Sequence, residues 1–159
     1  MTRSESRQRG TTSVEFAIIG LLFFTVLFGV FEVARAFFVF NALDEVTRRG
    51  ARMAAVCQIN DSAIREVAIF NASGGPQESS WIGGLSTANL QVEYLDAAGV
   101  AISDPTAQFN QIRYVRASIV GYLHQLFIPG NFITIPSPDF RATLPRESLG
   151  ISRDGPTPC

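Results

Sequence analysis

The stretch "FAIIGLLFFTVLFGVF", Phe16 to Phe31, contains no charge. As an α-helix it would span about 24 Å; carried on through "EVARAFFVF" to Phe40 it reaches about 37 Å, interrupted only by Glu32 and Arg35. A bilayer core of about 30 Å takes about 20 predominantly apolar residues, so the pattern predicts a membrane-spanning helix over about 16–40. A buried core helix is the competing reading, but the globular part of so short a chain has little room to enclose it. Beyond the run the apolar pattern narrows. Val39, Leu43, Val46, Gly50, Met53 and Cys57 recur at alternating steps of four and three, one stripe on one helix. The other face carries Asp44, Glu45, Arg48, Arg49 and Arg52, with acids four residues before arginines at 44/48 and 45/49. A solvated surface is the expected role of that face. No proline interrupts 11–58, so one helix of about 45 residues, on the order of 70 Å, is predicted there. Its second half should lie against a folded domain.

After Cys57 the pattern changes. "NDSAIREVAIFNASGG" predicts a short helix capped by Asn60 or Asp61 and ended by Gly74. "LQVEYLDAAGVAI" alternates and then turns at Ala97–Gly99. "IRYVRASIVGYL" alternates again, with Val115, Ala117 and Ile119 on one face, and "FITI" and "FRATL" are shorter strand candidates separated by "PSP". The expected fold class is α+β: a long N-terminal membrane-spanning α-helix with a small antiparallel sheet of three or four strands packed on its C-terminal half. The expected divisions are 1–10, a basic leader; 11–58, the helix; and 59–159, an external α+β domain. No internal repeat is present, and the tail "SRDGPTPC" reads as irregular.

Composition and charge narrow the function. The chain has 159 residues, one modest domain plus an appendage. A net charge of −1 leaves no electrostatic footprint for nucleic acid. Arg3, Arg7 and Arg9 face only Glu5 in residues 1–10, and a basic flank ahead of a span places the N-terminus in the cytoplasm and the rest outside. His124, in "GYLHQLF", is the single histidine and reads as a packed or surface side chain. With no phosphate-cradling glycine motif, no nucleophile elbow and no Cys/His cluster of zinc spacing, neither an enzyme nor a metal or cofactor is expected. Trp81 and Phe132 are expected in the core rather than as interaction anchors; "SGGPQESSWIGG" and "GNFITIPSPDF" read as at least partly loop. Cys57 and Cys159 are the only cysteines, and outside the inner membrane they meet an oxidising compartment. Cys57 falls on the stripe facing the domain, and a disulfide to Cys159 is the first expectation. Spacing leaves open an intermolecular bridge or two free thiols.

The approach to the helix, "RQRGTTSVEF" at residues 7–16, sets a carboxylate, Glu15, at the edge of the apolar run. Burying it unpaired in lipid would cost about 2–4 kcal/mol or more. A short basic segment, a glycine and a glutamate five residues on resemble a type IV prepilin leader. The resemblance implies cleavage between Gly10 and Thr11 by a membrane-embedded aspartic prepilin peptidase. It also implies pairing of Glu15 with the new α-amino group of Thr11, that of a neighbouring subunit. Thr11 and Phe16 are similar to the TadE/TadF-like pseudopilins of the tight-adherence (Flp pilus) system. The likeness continues through "FEVARAFFVFNALDEVTRRGARMAAV", and "RATLPRESLG" is similar to the TadE side of that family. What the resemblance implies is a pilin-like layout and a minor pilin assisting pilus assembly, with Glu15 and Phe16 serving subunit association. Implied partners are the prepilin peptidase, other pilins and pseudopilins, the assembly machinery and membrane lipid. The implied location is the inner membrane, single-pass, with a periplasmic domain at the pilus base or within the fibre. Two alternatives stand beside it. One is a periplasmic binding module or enzyme released by ordinary signal peptidase after "ARA" at Ala34–Ala36; the other is a plain bitopic membrane protein. A mature chain starting at Thr11, at Phe37 or at neither separates the three.

Overall fold

The computed structural model describes residues 8–128, 131–153, 155–156 and 159. Residues 1–7 of the expected leader, and parts of the C-terminal tail, lie outside the described residues. The first element, α1, runs from Gln8–Val56, 49 residues without interruption. It starts three residues before the expected boundary and stops two short of it. The chain divides after Phe37 into two compact units.

The described part of the first unit is helix, and its large apolar side chains stay exposed. Within the apolar run the polar groups are satisfied locally. The Thr25 hydroxyl donates to the Leu21 carbonyl at 2.7 Å, closing on its own backbone as hydroxyls in apolar helices do. Glu32 and Arg35, the two charges that interrupt the run, form an ion pair one turn apart. Paired, they present far less uncompensated charge to a low-dielectric surrounding than either would alone.

The second unit is built on the rest of α1. Val39, Leu43, Val46 and Gly50 of the predicted stripe are buried. Val39, Leu43 and Val46 join Ile69, Ile82, Leu85, Leu90, Ala117 and Ile119 in one core cluster. Gly50 is where the helix comes closest to its neighbours. A Cβ there would stand 3.1 Å from Leu90 Cδ2, 3.3 Å from Ala117 Cβ and 3.5 Å from Ala68 Cβ. Arg48 on the outer face pairs with Asp44 at 2.8 Å and Glu45 at 3.3 Å. Arg49 instead lies 4.8 Å over the Phe70 ring.

A short helix, α2 (Ser62–Ala68), comes next. Asp61 caps it, accepting from Ala63 N at 3.0 Å. It ends at Ile69, not at Gly74 as the sequence suggested. Ile69 is fully buried and Phe70 turns into a left-handed backbone conformation (φ 68°), so core packing ends the helix before the glycine is reached. Gly74 N bonds back to Glu66 Oε2 at 2.5 Å, closing the loop onto α2.

The sheet is antiparallel, in the order β1 (Leu90–Leu95), β2 (Tyr114–Ile119), β5 (Arg141–Pro145). Val115, Ala117 and Ile119 face the core as their alternation predicts. On the outer face Glu93 and Thr143 flank Arg116 in register, and Arg116 reaches Glu93 at 3.6 Å and Thr143 Oγ1 at 3.4 Å. The segment read as one strand, "IRYVRASIVGYL", is two. Gly121 adopts φ +68°, which breaks the ladder, and the chain leaves the sheet to form a hairpin, β3 (Leu123–Ile128) with β4 (Asn131–Pro136), before returning as β5. "FITI" is thus the middle of a hairpin strand. The tail contains a two-residue pairing, β6 (Ile151–Ser152) with β7 (Gly155–Pro156).

The last carbonyls of a helix have no partner within it. Those of α1 find theirs almost a hundred residues later in the chain. Glu147 N and Leu149 N bond to Ala55 O at 3.1 and 3.2 Å, and Gly150 N and Ser148 Oγ to Val56 O at 2.6 and 3.0 Å. Gly150 has φ +75°, and a Cβ there would meet Gln58 Cα at 2.5 Å. Gly150→Ala is therefore expected to destabilise the domain by at least about 1–3 kcal/mol through backbone strain, read as a lower urea midpoint in mild detergent. An unchanged midpoint would mean that this segment does not hold the helix end.

Candidate functional site on the N-terminal helix

Gly10, Thr11, Glu15 and Phe16 all lie in the first three turns of α1, and all are exposed; Phe16 is 78% exposed. The Gly10–Thr11 bond sits in the first turn, where opening the backbone breaks fewer helical hydrogen bonds than it would further along. Thr11 and Glu15 are four residues apart, which puts them on one helix face. The structure thus gathers the four N-terminal site residues into one short segment of helix. From Phe16 to Phe31 the helix carries no charge on any side. Ile19, Leu22, Phe23, Val26, Val30 and Phe31 are each more than 60% exposed, and the apolar window has a mean hydropathy of 2.4 with none of it buried. A helix that is hydrophobic all round and not enclosed by protein is what a lipid environment selects. This one long apolar helix suggests a single-pass membrane protein.

The remaining site residues belong to the second unit. Cys57 is buried at the end of the stripe and is bonded through sulfur to Cys159, with Cα atoms 5.6 Å apart. Asp61 links the start of α2 to Cys159. One carboxylate oxygen caps α2, and the other accepts from Cys159 N at 3.0 Å. Sequence reasoning identified Asp61 as a cap candidate and missed its second role, which depends on a residue 98 positions away.

His124 is packed, 1% exposed, with its ring 5.8 Å from that of Phe40. Trp81 corrects an expectation: it is 75% exposed, not part of the core. The Ser79 hydroxyl accepts from Trp81 N and Ile82 N at 3.3 Å each, and the buried Ile82 takes the core position that Trp81 was expected to fill. The side chain of Phe132 lies outside the described residues. Burial pushes the Tyr94 phenol above its ordinary pKa of 10.0, against smaller opposing contributions from the Asn60 backbone and the Arg65 guanidinium. Tyr94 packs in the second core cluster with Ile112 and Val115, so this is a consequence of packing.

A long, exposed apolar helix leading into an α+β domain defines a class: a membrane-anchored protein whose helix serves both the bilayer and a folded core. Within that class, residues 10–52 match the family described as TadE-like protein. The match lies entirely within α1. It covers the apolar run and most of the stripe, and ends before the sheet domain begins. No curated protein matches the chain, and no solved structure does.

Proposed function

We propose that this protein is a minor pilin-like subunit that assists assembly of a tight-adherence pilus, processed by a prepilin peptidase between Gly10 and Thr11. The observation that carries the proposal is the TadE-like match, which begins at Gly10 and runs through the exposed apolar helix. In this reading the N-terminus is cytoplasmic and α1 crosses the inner membrane. Cleavage creates a positively charged amino group at Thr11, and Glu15 neutralises it in low dielectric, where such a pair is much stronger than in water. Lateral association of apolar helices then brings subunits together. The sheet domain selects which pilin or machine component docks, and the Cys57–Cys159 bridge forms in the oxidising periplasm.

Gly10→Leu should leave full-length precursor in the membrane, whereas the wild-type chain from its host should begin at Thr11 by N-terminal sequencing; a wild-type chain with Gly10 still joined to Thr11 removes the processing step. Glu15→Gln should insert and keep a protease-resistant domain, yet lower the yield of sheared pili severalfold. Normal pili from that strain would favour a plain anchor. Non-reducing peptide mapping should recover Cys57 and Cys159 in one linked peptide pair. Replacing both by serine should cost nominally about 4–5 kcal/mol, the chain-entropy value for a loop of this length, and two alkylatable thiols in the wild type would exclude the bridge.

A further inference from the structure

No Asp, Glu, Lys or Arg stands between Arg116 and Asp139, and this stretch contains the β3–β4 hairpin. Residues paired across an antiparallel ladder share a face. Leu123↔Pro136 and Gln125↔Thr134 lie on one face, with Phe127 two further along; His124↔Ile135 and Leu126↔Ile133 lie on the other. Leu123 is 55% exposed, Phe127 60%, Ile133 44% and Ile135 42%. A hairpin in water normally keeps one face polar. This one shows large apolar side chains on both.

Three observations point to what covers them. The hairpin is rooted where the apolar run of α1 ends, because His124 of β3 packs against Phe40, the last residue of that run. Its freedom from charge extends to both faces, whereas a protein partner would require only one apolar face. The single tryptophan of the chain, Trp81, is exposed on a loop fastened to the foot of β3 by the bond from Tyr122 Oη to Gly83 O at 3.1 Å. Tryptophan is favoured at bilayer–water interfaces, where its ring is half in lipid and its N–H is solvated.

We propose that the β3–β4 hairpin is a membrane-surface element, lying in the headgroup region of the bilayer that α1 crosses, with Trp81 beside it. The depth is set by the backbone. A two-stranded hairpin has outer edges whose N–H and C=O groups need water or headgroups, so the hydrocarbon core excludes it while the interface accepts it. Such an element would hold the foot of the sheet domain against the lipid and restrict how the domain turns about its anchor. The proposal rests on the reading of α1 as a membrane span, and the two are tested by different readouts.

The full-length chain is reconstituted at low protein density in phosphatidylcholine/phosphatidylglycerol vesicles, with or without bromine on the acyl chains. Tryptophan reporters are placed in a Trp81→Phe background at Phe127→Trp and, independently, at Leu123→Trp. Val100→Trp is the control, since Val100 is 62% exposed in the turn after β1, beyond the Leu95↔Tyr114 end of the sheet and away from the Ile119 end that leads to the hairpin. Flotation of every variant with the vesicles tests the span; a chain that stays at the bottom of the gradient overturns that reading and the hairpin proposal with it. In floating chains, the Phe127→Trp and Leu123→Trp emission should be blue-shifted and mostly lost in brominated lipid, with the Val100→Trp emission kept. Hairpin reporters quenched no more than the control overturn the proposal. A blue shift without bromine quenching also overturns it and identifies a second protein surface as the cover.

Discussion

The approach of α1 to the sheet at Gly50 is the constraint on which the domain depends. Because position 50 has no side chain, Leu90, Ala117 and Ala68 close directly onto the helix, and β1, β2 and α2 are set at that distance. Leu43 and Val46 on the same stripe are fully buried by the same elements. Interiors are packed as densely as organic crystals, so a larger residue at this point would push three elements apart together. The register of the sheet is tied to this contact: Ala117 faces the helix, which fixes Val115 and Ile119 on the same side and Arg116 outward beside Glu93.

One helix serves two surroundings, and its residues change accordingly. From Phe16 to Phe37 the side chains are apolar on all faces, and the exceptions are compensated in place, Thr25 on its own backbone and Glu32 on Arg35. In the second unit one stripe is apolar, and the opposite face carries the Asp44–Arg48–Glu45 cluster. Exposed pairs of that kind contribute little stability. Their use is to keep the outer face soluble where the helix is no longer apolar all round.

The end of α1 is held by the far end of the chain. Segment 147–150 supplies donors to Ala55 and Val56, Asp61 holds Cys159 N, and the disulfide joins Cys159 to Cys57. These contacts close the chain on itself, so residues 58–146 form an enclosed excursion from one helix end. The hairpin is an insertion within that excursion, leaving β2 and returning to β5, its neighbour in the sheet. A change in the hairpin can therefore alter what the domain touches without changing how the domain is tied.

The amino-acid sequence by itself determined the features that depend on local period and composition. The all-round apolar run required a nonaqueous surrounding, the four-three stripe marked the face of α1 that would be buried, alternation located β1 and β2, and the breakers "PSP" set off β5. The TadE-like resemblance was legible because it lies in that same helix, at Gly10, Glu15 and the Ala/Arg-rich stretch after the span. Other outcomes belonged to the tertiary structure, because each depends on partners distant in the chain. Gly74 carries a stop signal, yet burial of Ile69 and the left-handed turn at Phe70 end α2 before it. Trp81 is the kind of residue that fills cores, yet Ile82 fills this one. Gly121 lies within an alternating pattern, and only the return of the chain to β5 makes it a break between a sheet strand and a hairpin. The capping of Ala55 and Val56 by residues 147–150 has no local signature, since nearest-neighbour patterns carry no information about which distant backbone will supply a donor.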